Sequence, residues 1–289
     1  MSFYFSALLL AFCLAALGLG IYISMRIFNL PDITTDGSYT LGAAVTALLI
    51  SKQFSPFLTL PFVILAGGIA GACTGYIHTR LRVNALLSGI LVMTALYSVN
   101  LMIMGRSNIP LINVTNIFNA ISIPLDETYS SFVLLSIFLF ILCTLLYFLL
   151  KTDFGIAMRA TGNSDSMVRA QGVNSDRMKI IGLAISNALV ATSGFLVTQL
   201  QGFADINMGI GIVIVGLGSV MIGETMMNWL GKTSLQWRIF GVLVGTVLFR
   251  IILAFCLSLG VNPNLLKLIT ALFVLLVVAL PGIKKSNLN

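Results

Sequence analysis

Between Lys151 and Lys179 the chain reads KTDFGIAMRATGNSDSMVRAQGVNSDRMK, which gathers three of its nine acidic residues and five of its sixteen basic ones. The chemistry of this mixture is recognition. A loop this structured and basic, set between two apolar runs, suggests a docking surface for a cytoplasmic partner. Phe154, Ala157, Met158 and Thr161 recur at i, i+3, i+4 and i+7, which predicts a short amphipathic helix. Gly162 then stands where a C-terminal glycine cap belongs. Asn163 or Ser164 can open a second short helix carrying Met167, Val168 and Ala170 and closed by Gly172. The expectation is a pair of surface helices that presents Phe154, Met158, Arg159, Gly162, Asn163, Met167, Arg169 and Gly172 to a groove on another protein. A solvated connection is the bland alternative, but loops beyond ~12–15 residues are usually functional or disordered.

Two further places carry chemistry. Asn29 to Gly42 is interrupted by Pro31, Asp32, Asp36, Gly37 and Ser38. If this segment re-enters a membrane, helix N-terminal amides and Ser38 line a substrate path near the midplane. If it is a plain turn, Asp32 and Asp36 are helix caps; both readings stay open. Arg250 lies within an apolar run, where a buried Arg costs at least about 2.5–3.5 kcal/mol and must find an acid, a helix end or water. It is expected to face a pathway or a subunit interface, while Glu224 suits a bridge to the cytoplasmic loops.

Catalytic constellations are missing from the sequence. It has one histidine, His78, and no HExxH, GxSxG or GxxxxGK[ST] pattern. Its four cysteines, Cys13, Cys73, Cys143 and Cys256, all sit in apolar runs without metal-ligand or disulfide spacing. Neither an enzyme nor a metal site is expected.

The elements that must position these residues are membrane helices. The chain of 289 residues is 58% hydrophobic and 9% charged, against roughly 25% charged in soluble domains. Uncharged runs long enough for a bilayer, ~20 residues, cover Phe3–Met25, Gln53–Thr79, Val83–Gly105, Thr128–Leu150, Ile180–Ala204 and Ile206–Gly223, with shorter or interrupted candidates at Gly37–Ser51, 239–259, which contains Arg250, and Leu268–Ile283. The first exceeds the ~7–15 residues of a signal-peptide core and lacks a basic start, so it reads as a span. The fold class is all-α: a polytopic bundle of about nine spans in one domain, 1–289, with the 151–179 loop on its cytoplasmic side. Gly67, Gly71 and Gly75, and likewise Gly241 and Gly245, have the GxxxG spacing of close helix contacts.

Placing the 151–179 loop in the cytoplasm and alternating outward puts twelve basic residues inside: Arg26, Arg80, Arg82, Lys151, Arg159, Arg169, Arg177, Lys179, Lys232, Arg238, Lys284 and Lys285. Only Lys52, Arg106 and Lys267 fall outside, as the positive-inside rule requires. The N-terminus is then outside and the C-terminus cytoplasmic. The net charge of +7 is topogenic and implies no nucleic acid.

Arg159-Ala-Thr-Gly-Asn163, Arg169-Ala-Gln-Gly-Val-Asn174 and Asp176-Arg-Met-Lys179 resemble the cytoplasmic coupling loop of ABC-importer permeases of the branched-chain amino acid and ribose type. Ser186 to Gly194, Gln201-Gly-Phe-Ala-Asp205, Gly209-Ile-Gly211 with Gly216-Leu-Gly218, Leu30 to Ser38, and Gly71 to Asn84 fit the same pattern. The similarity covers roughly residues 28–230; Gly223-Glu224 departs from it where a glycine-rich continuation is expected. The narrower match is to an amino-acid-linked subgroup, aromatic substrates included, that is paired with a lipoprotein-type binding protein. The resemblance implies a non-catalytic subunit in the cytoplasmic membrane, working as a homodimer with ABC ATPase subunits and an extracytoplasmic binding protein. It implies no cofactor in this chain, ATP being bound by the partner. The outer stretch from Arg106 to Tyr129 is a candidate seat for the binding protein. An ion-coupled secondary transporter, or a permease for a sugar or nucleoside, is the alternative.

Overall fold

The computed structural model describes residues 2–112, 114, 116–120, 127–260, 262 and 265–286. Residues 121–126 of the expected outer loop lie outside that set, and so do the side chains of Lys284 and Lys285. Helices account for nearly all of the described elements. They are α1 (Ser2–Ile21), extended by a wider π-helical turn (Tyr22–Ile27), α2 (Thr34–Ser51), α3 (Pro56–Arg80), α4 (Ala85–Met104), α5 (Ile117–Ala120) and α6 (Glu127–Lys151). Then follow α7 (Asp153–Asn163), α8 (Asp165–Ala170), α9 (Ser175–Gln201), α10 (Ile212–Trp229), α11 (Leu235–Ser258) and α12 (Leu266–Ser286). The exception is a small antiparallel ribbon of β1 (Asn108–Pro110) and β2 (Phe203–Asp205), with Asn108 opposite Asp205.

Among the described residues, seven helices are long and apolar enough to cross a bilayer: Phe3–Ile27, α3, α4, Tyr129–Lys151 of α6, α9, α10 and α11. Of the about nine expected spans, seven meet this standard among the described residues. The runs Gly37–Ser51 and Leu268–Ile283 fall on α2 and α12, which miss that standard for different reasons. α2 carries Asp36 and a set of threonines and glycines, tolerated because most of its residues are enclosed by protein. The apolar stretch described for α12, Leu266–Val277, is short.

Burial separates centre from periphery. The α1 span is 78% enclosed and α9 67%, whereas the α6 span is only 28%. α9 packs against α1, α2 and α3, and Phe195, Leu196 and Val190 of α9 join Leu14, Leu17 and Ile21 of α1 in the main core. The exposed large apolar side chains of α3, α4 and α6, such as Leu65, Leu91 and Phe140, suit a lipid surround.

The GxxxG expectation holds as packing. A Cβ on Gly67, Gly71 or Gly75 would strike Asn187, Leu183 or Ile180 of α9, so the bare glycine edge lets the two backbones approach. Gly241 and Gly245 of α11 lie in the same way against Gly223 and Ser219 of α10. His78 bonds through Nδ1 to the Val83 carbonyl oxygen at 2.9 Å, closing the α3–α4 turn.

Candidate functional site

The loop between α6 and α9 is two capped helices. The Thr152 hydroxyl accepts from Gly155 N at 3.3 Å and starts α7. The Ser164 hydroxyl accepts from Met167 N at 3.4 Å and starts α8. Asn174 Oδ1 accepts from Arg177 N at 3.1 Å and starts α9. Gly172, at φ +81°, sits in the left-handed region just past α8, as the spacing predicts. Arg169 reaches Asp176 at 2.7 Å and Asp165 at 3.5 Å, while Lys179 holds Asp165 at 3.2 Å. Asp165 foremost, with Asp176, raises the Arg169 guanidinium still further above its ordinary pKa. The loop is tied to itself rather than left as a solvated link.

Three residues of the loop are placed differently from the sequence expectation. Gly162 is not a terminal cap but lies within the last turn of α7. A Cβ there would collide with the Ile27 carbonyl, so the glycine serves close packing. Met158 is fully buried and Phe154 half-buried, turned inward rather than out to a partner. Periodicity identifies the apolar face of a short helix but not what covers it, and here the helix bundle itself does. The outward set is Ile156, Arg159 and Asn163 on α7 with Met167 and Arg169 on α8. Ile156 and Met167 are 50% and 61% exposed. Two basic clefts flank this face. One of 440 Å³ includes Arg26, Arg159 and Arg238, and one of 560 Å³ includes Arg80, Arg82, Arg169 and Lys179.

The coupling of this loop to the interior runs through the turn after α1. The Asn29 side-chain amide donates to the Gly162 carbonyl at 3.1 Å, and Phe28 packs against Gly182 of α9. From there the chain turns back into the bundle. Asp32 is buried; its carboxylate accepts from Thr34 N at 2.9 Å and from Asn187 Nδ2 at 2.7 Å. Thr34 in turn shares a hydrogen bond of 2.7 Å with Thr74 of α3. Asn187 stands twelve residues into α9, roughly 18 Å along it at 1.5 Å per residue. The start of α2 is therefore packed against the interior faces of α9 and α3.

Asp36 is a cap, but not of its own helix. Its two carboxylate oxygens accept from Gly211 N at 2.8 Å and Val213 N at 3.0 Å, closing the N-terminus of α10. Ser38 is fully enclosed and its hydroxyl has no partner among the described residues. Arg250 has Tyr39 and Cys13 as its electrostatic neighbours. Among the described residues it makes no ion pair, and its Nε has no hydrogen-bond partner. Glu224 instead meets Arg26, in the turn after α1, at 2.6 Å.

Sequence reasoning missed Asn187, Thr74, Tyr39 and Asp205. The first two lie on different helices from their partners, and only GxxxG spacing on α3 hinted at the contact with α9. Arg250 lines two cavities, of 350 and 440 Å³, that share Leu10 and Ile212 as a common wall.

A family profile described as the branched-chain amino acid transport system, permease component, matches residues 3–279. The chain is 39% identical to a tyrosine transport system permease protein of Clostridioides difficile over 95% of this chain and 91% of that one. It is 25% identical to a probable branched-chain amino acid transport permease protein of Methanocaldococcus jannaschii over 91% and 86%. With a ribose import permease protein of Haemophilus influenzae it shares 24% identity over 75% and 66%. No solved structure matches the chain. These named relatives are transport permeases rather than enzymes. A multi-pass bundle of apolar helices with a match along almost its whole length places this chain in the branched-chain amino acid transport permease family, the membrane-embedded permeases of ABC transporters.

Proposed function

We propose that this chain is the membrane-spanning subunit of an ATP-driven importer for an amino acid, aromatic ones included. Two copies form the pathway, two ABC ATPase subunits bind at the cytoplasmic face, and an extracytoplasmic binding protein of the lipoprotein type delivers the substrate. The whole chain, 1–289, is one transmembrane unit with its N-terminus outside and its C-terminus in the cytoplasm. It carries no cofactor, because ATP is held by the partner.

The observation that carries this reading is the tied two-helix loop with its outward Ile156, Arg159 and Met167. A rigid knob transmits force where a floppy linker does not. Motion of α7 passes through Gly162 and Asn29 to the turn at Ile27–Phe28, and from there to Asp32, Asn187 and the start of α2. Closure of the ATPases rocks α2 and α9 between outward and inward states. The amino-acid assignment draws on the relative named for tyrosine. A sugar is the second reading, supported by the relative named for ribose at lower identity.

Copurification tests the assembly. The tagged chain extracted from its native membrane should bring down a stoichiometric ABC ATPase, and the chain with Ile156→Glu and Met167→Glu should not. A chain that emerges alone, and carries substrate down an ion gradient, would establish a secondary carrier instead.

A further inference from the structure

Among the described residues Arg250 makes no ion pair and its Nε has no hydrogen-bond partner, and the residue borders a cavity with the features of an amino-acid site. The 350 Å³ cavity is lined by Arg250, Asp205, Gln201, Asn207 and Tyr39 on its polar part, with Leu10 and Phe203 among the apolar remainder. Among the described residues no ion pair joins Asp205 to Arg250. One cation and one carboxylate therefore share a wall without neutralising each other. Asp205 Oδ1 accepts from Asn207 N at 2.8 Å and Oδ2 from Asn108 Nδ2 at 3.3 Å, which fixes the carboxylate while leaving each oxygen a further lone pair. The second cavity, of 440 Å³, opens from the same Arg250, Leu10 and Ile212 and is lined chiefly by apolar side chains such as Leu253 and Leu257.

Placement supports access from the binding-protein side. Arg250 lies eight residues from the C-terminal end of α11, and Asp205 ends β2 beside the loop ribbon, opposite the end of the bundle that bears α7 and α8. Arg250 is half-buried with its Nε enclosed and unpartnered among the described residues, which is costly, and a guanidinium matches a carboxylate in bidentate geometry. An ammonium group matches Asp205, with the Gln201 and Asn207 side chains as further polar contacts.

We propose that the Arg250–Asp205 cavity is a substrate site for a zwitterionic α-amino acid. Arg250 takes the α-carboxylate, Asp205 takes the α-ammonium, and the adjoining cavity takes an apolar or aromatic side chain. The proposal rests on the reading of the chain as an amino-acid importer. It excludes neutral sugars as the preferred ligand of this cavity, because a sugar leaves the Arg250 charge unmatched.

Saturation-transfer NMR on the full chain with its ATPase in lipid nanodiscs tests the site without interference from the binding protein. The probes are L-tyrosine, L-leucine, tyramine, which lacks the carboxylate, and D-ribose. The expected result is competable binding of an amino acid that weakens tenfold or more in Arg250→Gln and in Asp205→Asn, with partial retention in Arg250→Lys. Tyramine should bind weakly and equally to the wild type and Arg250→Gln. Retention of the ATPase and an unchanged melting temperature in Arg250→Lys separate binding loss from misfolding. Amino-acid binding unaltered in Arg250→Gln overturns the site, as does binding of tyramine or D-ribose in place of both amino acids. Loss of the dimer in Arg250→Gln with amino-acid binding intact would assign the guanidinium to a second copy and also overturn it. ATP-driven uptake by the same wild-type assembly in proteoliposomes separates the two claims. Amino-acid uptake that ignores Arg250→Gln removes the site and leaves the importer, whereas no ATP-driven uptake removes the importer reading itself.

Discussion

Asp32 and Asn187 are joined by a hydrogen bond of 2.7 Å across 155 residues of sequence, and this contact fixes where the turn before α2 meets α9. A carboxylate enclosed at that depth depends on its donors, since an unmatched buried charge is strongly disfavoured. Replacing Asn187 by Leu leaves the carboxylate the Thr34 N–H but no side-chain amide, and replacing Asp32 by Ala leaves the Asn187 amide only its bond to the Leu183 carbonyl; each single change costs about 1–3 kcal/mol. The double variant should cost clearly less than the two combined. Thermal unfolding of the purified chain measures this, and strict additivity would show that the two groups do not depend on each other.

Asp36 closes α10 from another helix. Asp36→Ala should destabilise by about 0.5–2 kcal/mol, the range for loss of a helix cap. Asp36→Asn, which keeps an acceptor oxygen, should lose less. An equal loss in both variants would mean that the charge rather than the hydrogen bonds matters there.

The glycine edge of α3 gives a sharp internal control. A Cβ at Gly71 meets the Leu183 carbonyl, whereas at Gly68 the nearest atom is the Ala184 carbonyl oxygen at 3.8 Å. Gly71→Ala is therefore expected to cost about 1–3 kcal/mol through overpacking, and Gly68→Ala to stay within about 0.5 kcal/mol of the wild type. Detergent melting curves of the two single variants would decide it, and equal effects would contradict the α3–α9 packing.

Asn29 is the hinge between the surface helices and the interior. It holds φ +54° and donates to Gly162. Asn29→Gly keeps the backbone freedom of the left-handed region but removes the amide. The expected outcome is a variant that still binds its ATPase and hydrolyses ATP, with substrate uptake reduced several-fold. Uptake unchanged relative to hydrolysis would place force transmission elsewhere.

Much of this architecture was legible in the amino acids, because membrane helices write themselves as long uncharged runs and each expected run falls on a helix. The caps at Ser164 and Gly172 were readable too, since cap chemistry is local. What escaped was tertiary. Nothing in the α7 pattern says that Met158 turns into its own bundle while Ile156 turns out. Asp36 looks like a cap for α2, the helix that contains it, and serves α10 instead. Arg250 announced itself as costly, but its cavity is assembled from α1, α2, the end of α9, α11 and the 203–212 segment, which no spacing within one segment can encode.

ATP-driven uptake of labelled L-tyrosine into proteoliposomes, with the chain assembled with its ATPase and binding protein, tests the central claim most directly. Uptake that requires ATP in the wild type, and that falls at least tenfold in the Ile156→Glu, Met167→Glu chain while its melting temperature holds, is the predicted result. Uptake that persists without ATP on an ion gradient, or that ignores both substitutions, would contradict the account.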